Sequence, residues 1–404
     1  MSEIEQKVSR AVPRGIASTG PVIFSYGFRP FFLGAGLWAI AAMALWMLTL
    51  MGMAGPTVGG SYGAVYWHAH EMLFGFSSAV FAGFLLTAVP NWTGRLPVSG
   101  WPLVLLFSLW CVGRVALLFP DVAGLVPSAV LESLFLPALL FICASEVIAG
   151  RKWKDLKVIA GLLALSIANI AFHVSVIGGV SDNSVAVRLA VSAYVALVTV
   201  VGGRILPSFT RNWLNRFGRV DFPVPYNRFD TTAILCGVVA LAFWVVHPDS
   251  SVTILPAATA ALLHAVRLVR WRGWTVRKEK LLLVLHVAYG FVPLGFVSIA
   301  LGAAGILNEY SVLHVLAIGA IACMMLAVMT RASRGHTGRA LTASRLTSAS
   351  YALLIMAALV RPVAEVLPIF AIPIYAIAGL LWMASFGLFC FEYAPMLVLA
   401  RRRS

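Results

Sequence analysis

The sequence predicts an all-α polytopic membrane protein, and three observations predict it. Hydrophobic residues make up 61% of the 404 positions and charged residues only 11%, against roughly 25% charged in soluble domains. Apolar stretches of about 20 residues, each enough to cross roughly 30 Å of hydrocarbon, recur along the whole length. Of 30 Lys and Arg, all but Arg114, Arg188 and Arg361 fall on one side of the predicted spans, which the positive-inside rule makes the cytoplasmic side. The net charge of +15 is therefore topological, and a nucleic-acid partner is excluded.

Twelve spans follow, at 30–52, 68–90, 100–119, 126–148, 155–177, 184–206, 230–247, 251–270, 279–303, 310–331, 346–366 and 368–398. The first is too long for a signal-peptide core and lacks a small-residue cleavage site, so it is a retained helix. Residues 1–25 form a polar cytoplasmic tail, 26–398 a single twelve-helix transmembrane domain, and 399–404 a basic cytoplasmic C-terminus. Five scattered cysteines without CxxC spacing (Cys111, Cys143, Cys236, Cys323, Cys390) are apolar core thiols.

The second span opens on Trp67-His68-Ala69-His70-Glu71-Met72 and ends at Thr93-Gly94-Arg95. The tenth opens on His314 and ends at Thr337-Gly338-Arg339. His70 to Thr93 is 23 residues, as is His314 to Thr337, and Gly75 and Gly319 each lie five residues past their histidine. Near the end of the sixth span, Thr210-Arg211-Asn212-Trp213 loosely echoes Pro90-Asn91-Trp92-Thr93. Arg204 to Arg228, with Pro207, Pro223 and Pro225, is the longest internal break, and it divides the chain into two six-helix halves, a transporter layout. The echoes at spans 2, 6 and 10 fit three four-helix units better.

The predicted topology brings His68, His70, His173 and His314 to one depth near the periplasmic face. His264 and His286 lie toward the cytoplasm, His336 in the loop after the tenth span, and His247 in a short, solvated periplasmic turn. Residues two apart in a helix point about 200° apart. His68 and His70 then serve two neighbouring centres, unless the helix begins only at His70. Glu71 is placed to hold a histidine's second nitrogen. Against ligation, a single membrane histidine is commonly a helix–helix hydrogen-bond donor. Four at one depth, two in matched positions, favour a metal or haem.

Arg95, Arg204, Arg211, Arg331 and Arg339 read as cytoplasmic anchors. Arg114, Arg188 and Arg361, on the other side, are candidates for pairing with an anionic cofactor group. Glu132, Glu146 and Glu392 at membrane depth either carry protons or pair with arginine. Met324, Met325 and Met329 read as packing rather than copper ligands.

Tyr26-Gly27-Phe28-Arg29-Pro30-Phe31-Phe32, Trp67 to Phe76, and Gly83 to Arg95 resemble the NnrS family. So do Gly202-Gly203-Arg204 with Thr210-Arg211-Asn212, and Met329-Thr330-Arg331 with Gly335 to Arg339, so that the likeness runs nearly end to end. The resemblance implies a twelve-helix bacterial inner-membrane protein with both termini cytoplasmic, containing haem and copper and linked to nitric oxide and denitrification. It implies no defined reaction. It covers His68, His70, His173, His286, His314 and His336, and His264 more loosely; Ser208 and Arg334 depart from its apolar pattern. At fold level alone, haem–copper oxidases share twelve helices in three arcs, but here the sixth span has no histidine.

The expectation is a haem b- and copper-binding protein of nitric oxide metabolism or nitric oxide stress. His314 and one of His68 and His70 are axial ligands of a haem between the second and tenth helices; the other, with His173, begins a second centre. His264, His286 and His336 are further metal candidates. If it is an enzyme, it is a haem-dependent oxidoreductase acting on nitric oxide and supplied by a respiratory electron donor. The alternatives are a twelve-helix secondary transporter, or a metal or haem assembly factor for a respiratory complex. The partners are the lipid bilayer and nitric oxide or a related small ligand.

Overall fold

The computed structural model describes residues 20–53, 58–179 and 184–401. Most of the expected N-terminal tail and the last three residues of the C-terminus lie outside them. Twelve helices are long and apolar enough to cross a membrane: α1 (Phe28–Leu50), α2 (Ala64–Thr93), α3 (Trp101–Leu118), α4 (Leu125–Ala149), α5 (Trp153–Ile177), α6 (Ser184–Arg216), α7 (Arg228–Val246), α8 (Ser251–Arg270), α9 (Lys280–Ala303), α10 (Glu309–His336), α11 (Arg345–Glu365) and α12 (Pro368–Val398). The described residues contain no strand, as expected where the solvent is hydrocarbon and each segment must satisfy its own backbone.

Local chemistry sets many of the boundaries. Asn227 and Asp230 form a reciprocal capping box at the start of α7. Asn308 accepts from Tyr310 N–H at 2.8 Å to open α10, and Ser344 accepts from Thr347 N–H at 3.0 Å to open α11. The two Thr-Gly-Arg triplets prove to be helix stops. Thr93 and Thr337 donate their hydroxyls to carbonyls four residues back, Val89 at 2.9 Å and Ser333 at 2.6 Å. Gly94 and Gly338 then turn left-handed, at φ 74° and 71°, a conformation that disfavours a side chain.

Two boundaries depart from expectation. α6 runs on to Arg216, so half of the expected break is helical. Leu206, Thr210 and Leu214, each four residues apart, are almost fully buried, and this stripe carries the helix through Pro207. α10 likewise extends to His336, which is its last residue rather than a loop residue.

Helices consecutive along the chain pack against one another and α12 packs against α1, with α2 also reaching α4 and α6 reaching α9. α2, α6 and α10 meet in the interior around an apolar cavity. The junction of α1 with α12 is sealed by Arg29 at the start of α1, whose guanidinium donates to the carbonyls of Leu397 at 2.7 Å and Leu399 at 2.9 Å.

α2 and α10 share a further device. In each, the turns directly after the matched histidine widen into a π-helix, at Glu71–Phe76 and Val315–Ala322. Such segments free a carbonyl and re-aim side chains, and they are common at functional sites. In α2 the Gly75 carbonyl accepts from Trp110 Nε1 at 3.0 Å.

Candidate functional site

α2 begins at Ala64, so both histidines of the His-x-His lie within the helix and face different neighbours. His70 is fully buried toward α4 and α5. Its Nδ1 meets Glu71 Oε1 at 3.1 Å, and its Nε2 meets Asn169 Oδ1 at 3.0 Å and Glu132 Oε2 at 3.3 Å. His173 of α5 is equally enclosed. Its Nε2 lies 2.9 Å from the same Glu132 oxygen, and its Nδ1 lies 2.9 Å from the Tyr62 hydroxyl. The ring centroids of His70 and His173 are 4.8 Å apart.

His70, Glu132 and His173 each offer a ligand atom within 4.8 Å of the others. Two imidazoles and a carboxylate are a donor set for a transition metal. Both Nε2 atoms face acceptor oxygens of Glu132 and Asn169, to which they donate; a metal ion would take the place of those protons, with Nδ1–H of His70 donated to Glu71 and Nδ1–H of His173 to Tyr62. Tyr62 stands in the short loop ahead of α2, where Ser61 N–H donates to the Asp121 carboxylate at 3.2 Å. Burial, then the charges of Glu132 and Glu71, push its phenol well above the usual range, so it is a neutral hydroxyl at neutral pH.

Arg114 of α3 completes the cluster. It bonds Glu71 Oε2 at 2.6 Å and also reaches Glu132 Oε1, while Trp38 Nε1 donates to Glu71 Oε2 at 2.7 Å. The absence of a Cβ at Gly75 makes this possible, because a methyl there would strike Glu71, Arg114 and Trp38. Two carboxylates against one guanidinium leave a formal charge of −1 in a water-poor interior. Such an excess calls for a cation, either a proton on imidazole or a metal ion.

His68 faces the other way. It stacks on Trp46, with ring centroids 4.5 Å apart and planes 14° from parallel, and its buried Nδ1 has no hydrogen-bond partner. His314 lies within electrostatic reach of it, and Arg361 is the charged side chain acting on both rings. His314 Nδ1–H donates to the Tyr310 carbonyl at 2.6 Å, which leaves its Nε2 as the basic nitrogen. Arg361 is itself paired with Glu365 at 2.8 Å, so this place offers two imidazoles and no surplus charge, a donor set that suits a haem iron.

His70, Glu132 and His173 form the one such group of three among the described residues, and His264, His286 and His336 are not part of it. His264 Nδ1 meets Tyr289 OH at 2.8 Å, and Tyr289 accepts from Arg267, itself bound to Asp230 at 2.9 Å. His286 Nε2 meets Thr210 Oγ1 at 2.9 Å. His336 lies against the rings of Tyr26 and Phe28. His247 ends α7, exposed.

The three arginines off the basic side all hold carboxylates. Besides Arg114, Arg188 bonds Glu309 at 2.5 Å, and Arg361 bonds Glu365 at 2.8 Å. Glu146 pairs with Arg95 at 2.6 Å. Arg334 is bound by Glu392 at 2.5 Å, which accounts for a charge at an otherwise apolar position. Arg204 and Arg331 lie over the faces of Trp92 and Phe209, at 4.6 and 4.3 Å. Glu132, Asn169 and Tyr62 join the site without a local motif; the one sequence signal was an acid at membrane depth.

The sequence model of the NnrS protein family matches residues 22–401. No curated protein matches the chain.

Proposed function

This chain belongs to the NnrS family, and we propose that it is a haem- and copper-binding inner-membrane protein acting in nitric oxide metabolism or the response to nitric oxide stress. One observation carries the reading. The His-x-His of α2 presents imidazoles in two directions: His70 faces His173 of α5, with ring centroids 4.8 Å apart, and His68 lies on the side toward His314 of α10, within electrostatic reach of it.

Electrostatics divides the two places between the two cofactors. His68 and His314, beside Arg361, would hold the haem; His70, His173 and Glu132, with their surplus negative charge, would hold the copper. A monovalent copper ion leaves that cluster neutral, which favours Cu(I) over Cu(II) in a low-dielectric setting. A haem iron supplies redox chemistry and affinity for nitric oxide. The protein's own residues orient the imidazoles, exclude water, and hold compensating charge. Arg188 and Arg361 already have carboxylate partners, so a haem propionate would have to share them.

His314→Ala should abolish the haem Soret band of the purified protein while leaving its copper content intact. His173→Ala should do the reverse. If both variants retain wild-type spectrum and metal content, the assignment is wrong.

A further inference from the structure

Ten residues past the paired histidines, about 15 Å along the helix axes, the cavity between α2, α6 and α10 repeats the internal symmetry of the sequence. Val80, Phe81 and Phe84 line it from α2, at 10, 11 and 14 residues beyond His70; Met324, Met325 and Val328 line it from α10, at the same offsets beyond His314. α6 supplies the third wall from Tyr194 to Ile205. The cavity measures about 50 Å³, is only partly enclosed, and its wall exposes no polar surface. Tyr194 is part of the wall, yet its hydroxyl is turned away and donates to the Leu73 carbonyl at 2.9 Å, in the π-helix beside Glu71.

We propose that this cavity binds an uncharged diatomic gas. At about 50 Å³ it is well short of the roughly 150 Å³ apolar cavity that takes benzene, so a very small molecule fits it best. Its wall offers water no hydrogen bond, so it stays dry, and an ion or polar metabolite would lose its hydration without compensation. A diatomic gas needs no hydrogen bonds, enters from hydrocarbon, and gains dispersion contacts with the Phe rings and Met sulfurs. The contact of Tyr194 with the π-helix puts the cavity next to the turns that position His70. That nitric oxide is the resident rests on the functional reading above; the gas site itself does not.

Xenon, an apolar probe of similar size, tests the site without reference to any metal. Crystals of the full chain pressurised with xenon should show one peak bounded by Val80, Tyr194 and Met325. Val80→Phe on α2 and Val198→Phe on α6 should each remove that peak while eluting as monodisperse protein. No xenon in the wild-type cavity, a peak that survives both variants, or acyl-chain density filling the space would overturn the proposal. A lost Soret band with xenon bound would count against the haem alone, and an intact Soret band without xenon against the gas site alone.

Discussion

Arg114 shows how a single side chain can organise a site. It bridges Glu71 and Glu132, and through them it touches both metal-facing histidines. Removing one partner of a buried ionic network strands the others, at a cost of roughly 3–5 kcal/mol. Arg114→Met is therefore expected to lower the melting temperature in detergent sharply and to abolish copper binding. Glu132→Gln, which keeps the shape and removes the charge, should lose copper with a smaller loss of stability. A wild-type melting curve for Arg114→Met would mean that water, rather than arginine, satisfies the two carboxylates. The sequence displayed the histidines and their matched spacing, but the carboxylate between His70 and His173 carries no local signature. Glu132 stands 62 residues after His70 and 41 before His173, and only helix packing brings them together.

At the scale of the helix, the π-segments of α2 and α10 set how the histidine-bearing end of each helix is turned relative to the rest of it. One extra residue per widened turn offsets everything upstream by about 100° relative to everything downstream. Deleting Met72, which would return Glu71–Phe76 to α-helical winding, should swing the His-x-His off its partners. The expected result is a folded protein, helical by circular dichroism, with both haem and copper lost; retention of either would show that the π-turns do not set the aim. The spans themselves were legible because hydropathy and length are strong, local signals, and α8 and α12 match their expected bounds. The long overhang of α6 was hidden because Pro207 and five arginines read as loop, while the buried stripe Leu206, Thr210, Leu214 becomes visible only against its neighbours. The same holds for His336, whose ring partners Tyr26 and Phe28 come from the opposite end of the chain.

For the whole molecule, the positive-inside rule predicts from the one-sided placement of Lys and Arg that the loops following even-numbered helices would face the cytoplasm with both termini. Single cysteines at exposed Arg219, after α6, and exposed His247, after α7, distinguish the sides. In intact cells a membrane-impermeant thiol reagent should label the second and spare the first; the opposite pattern would invert the topology and place the histidine pairs on the inner face. The echoes at intervals of four helices fall on α2, α6 and α10, which line one cavity in the interior, while α1–α2, α5–α6 and α9–α10 pack as closely as the helices within each expected unit. A likeness to haem–copper oxidases was an analogy of layout alone, and α6 offers no imidazole to extend it.

The bonds from Arg29 to the carbonyls of Leu397 and Leu399 have a consequence for biosynthesis. α1 finds these acceptors only after α12 has been inserted, so the seam between the two helices closes late in synthesis. Until then α1 has an unmet cation at its entrance, and a chain truncated before α12 keeps it. Because the seam lies between the two termini, it is also the natural join for a circularly permuted chain opened elsewhere.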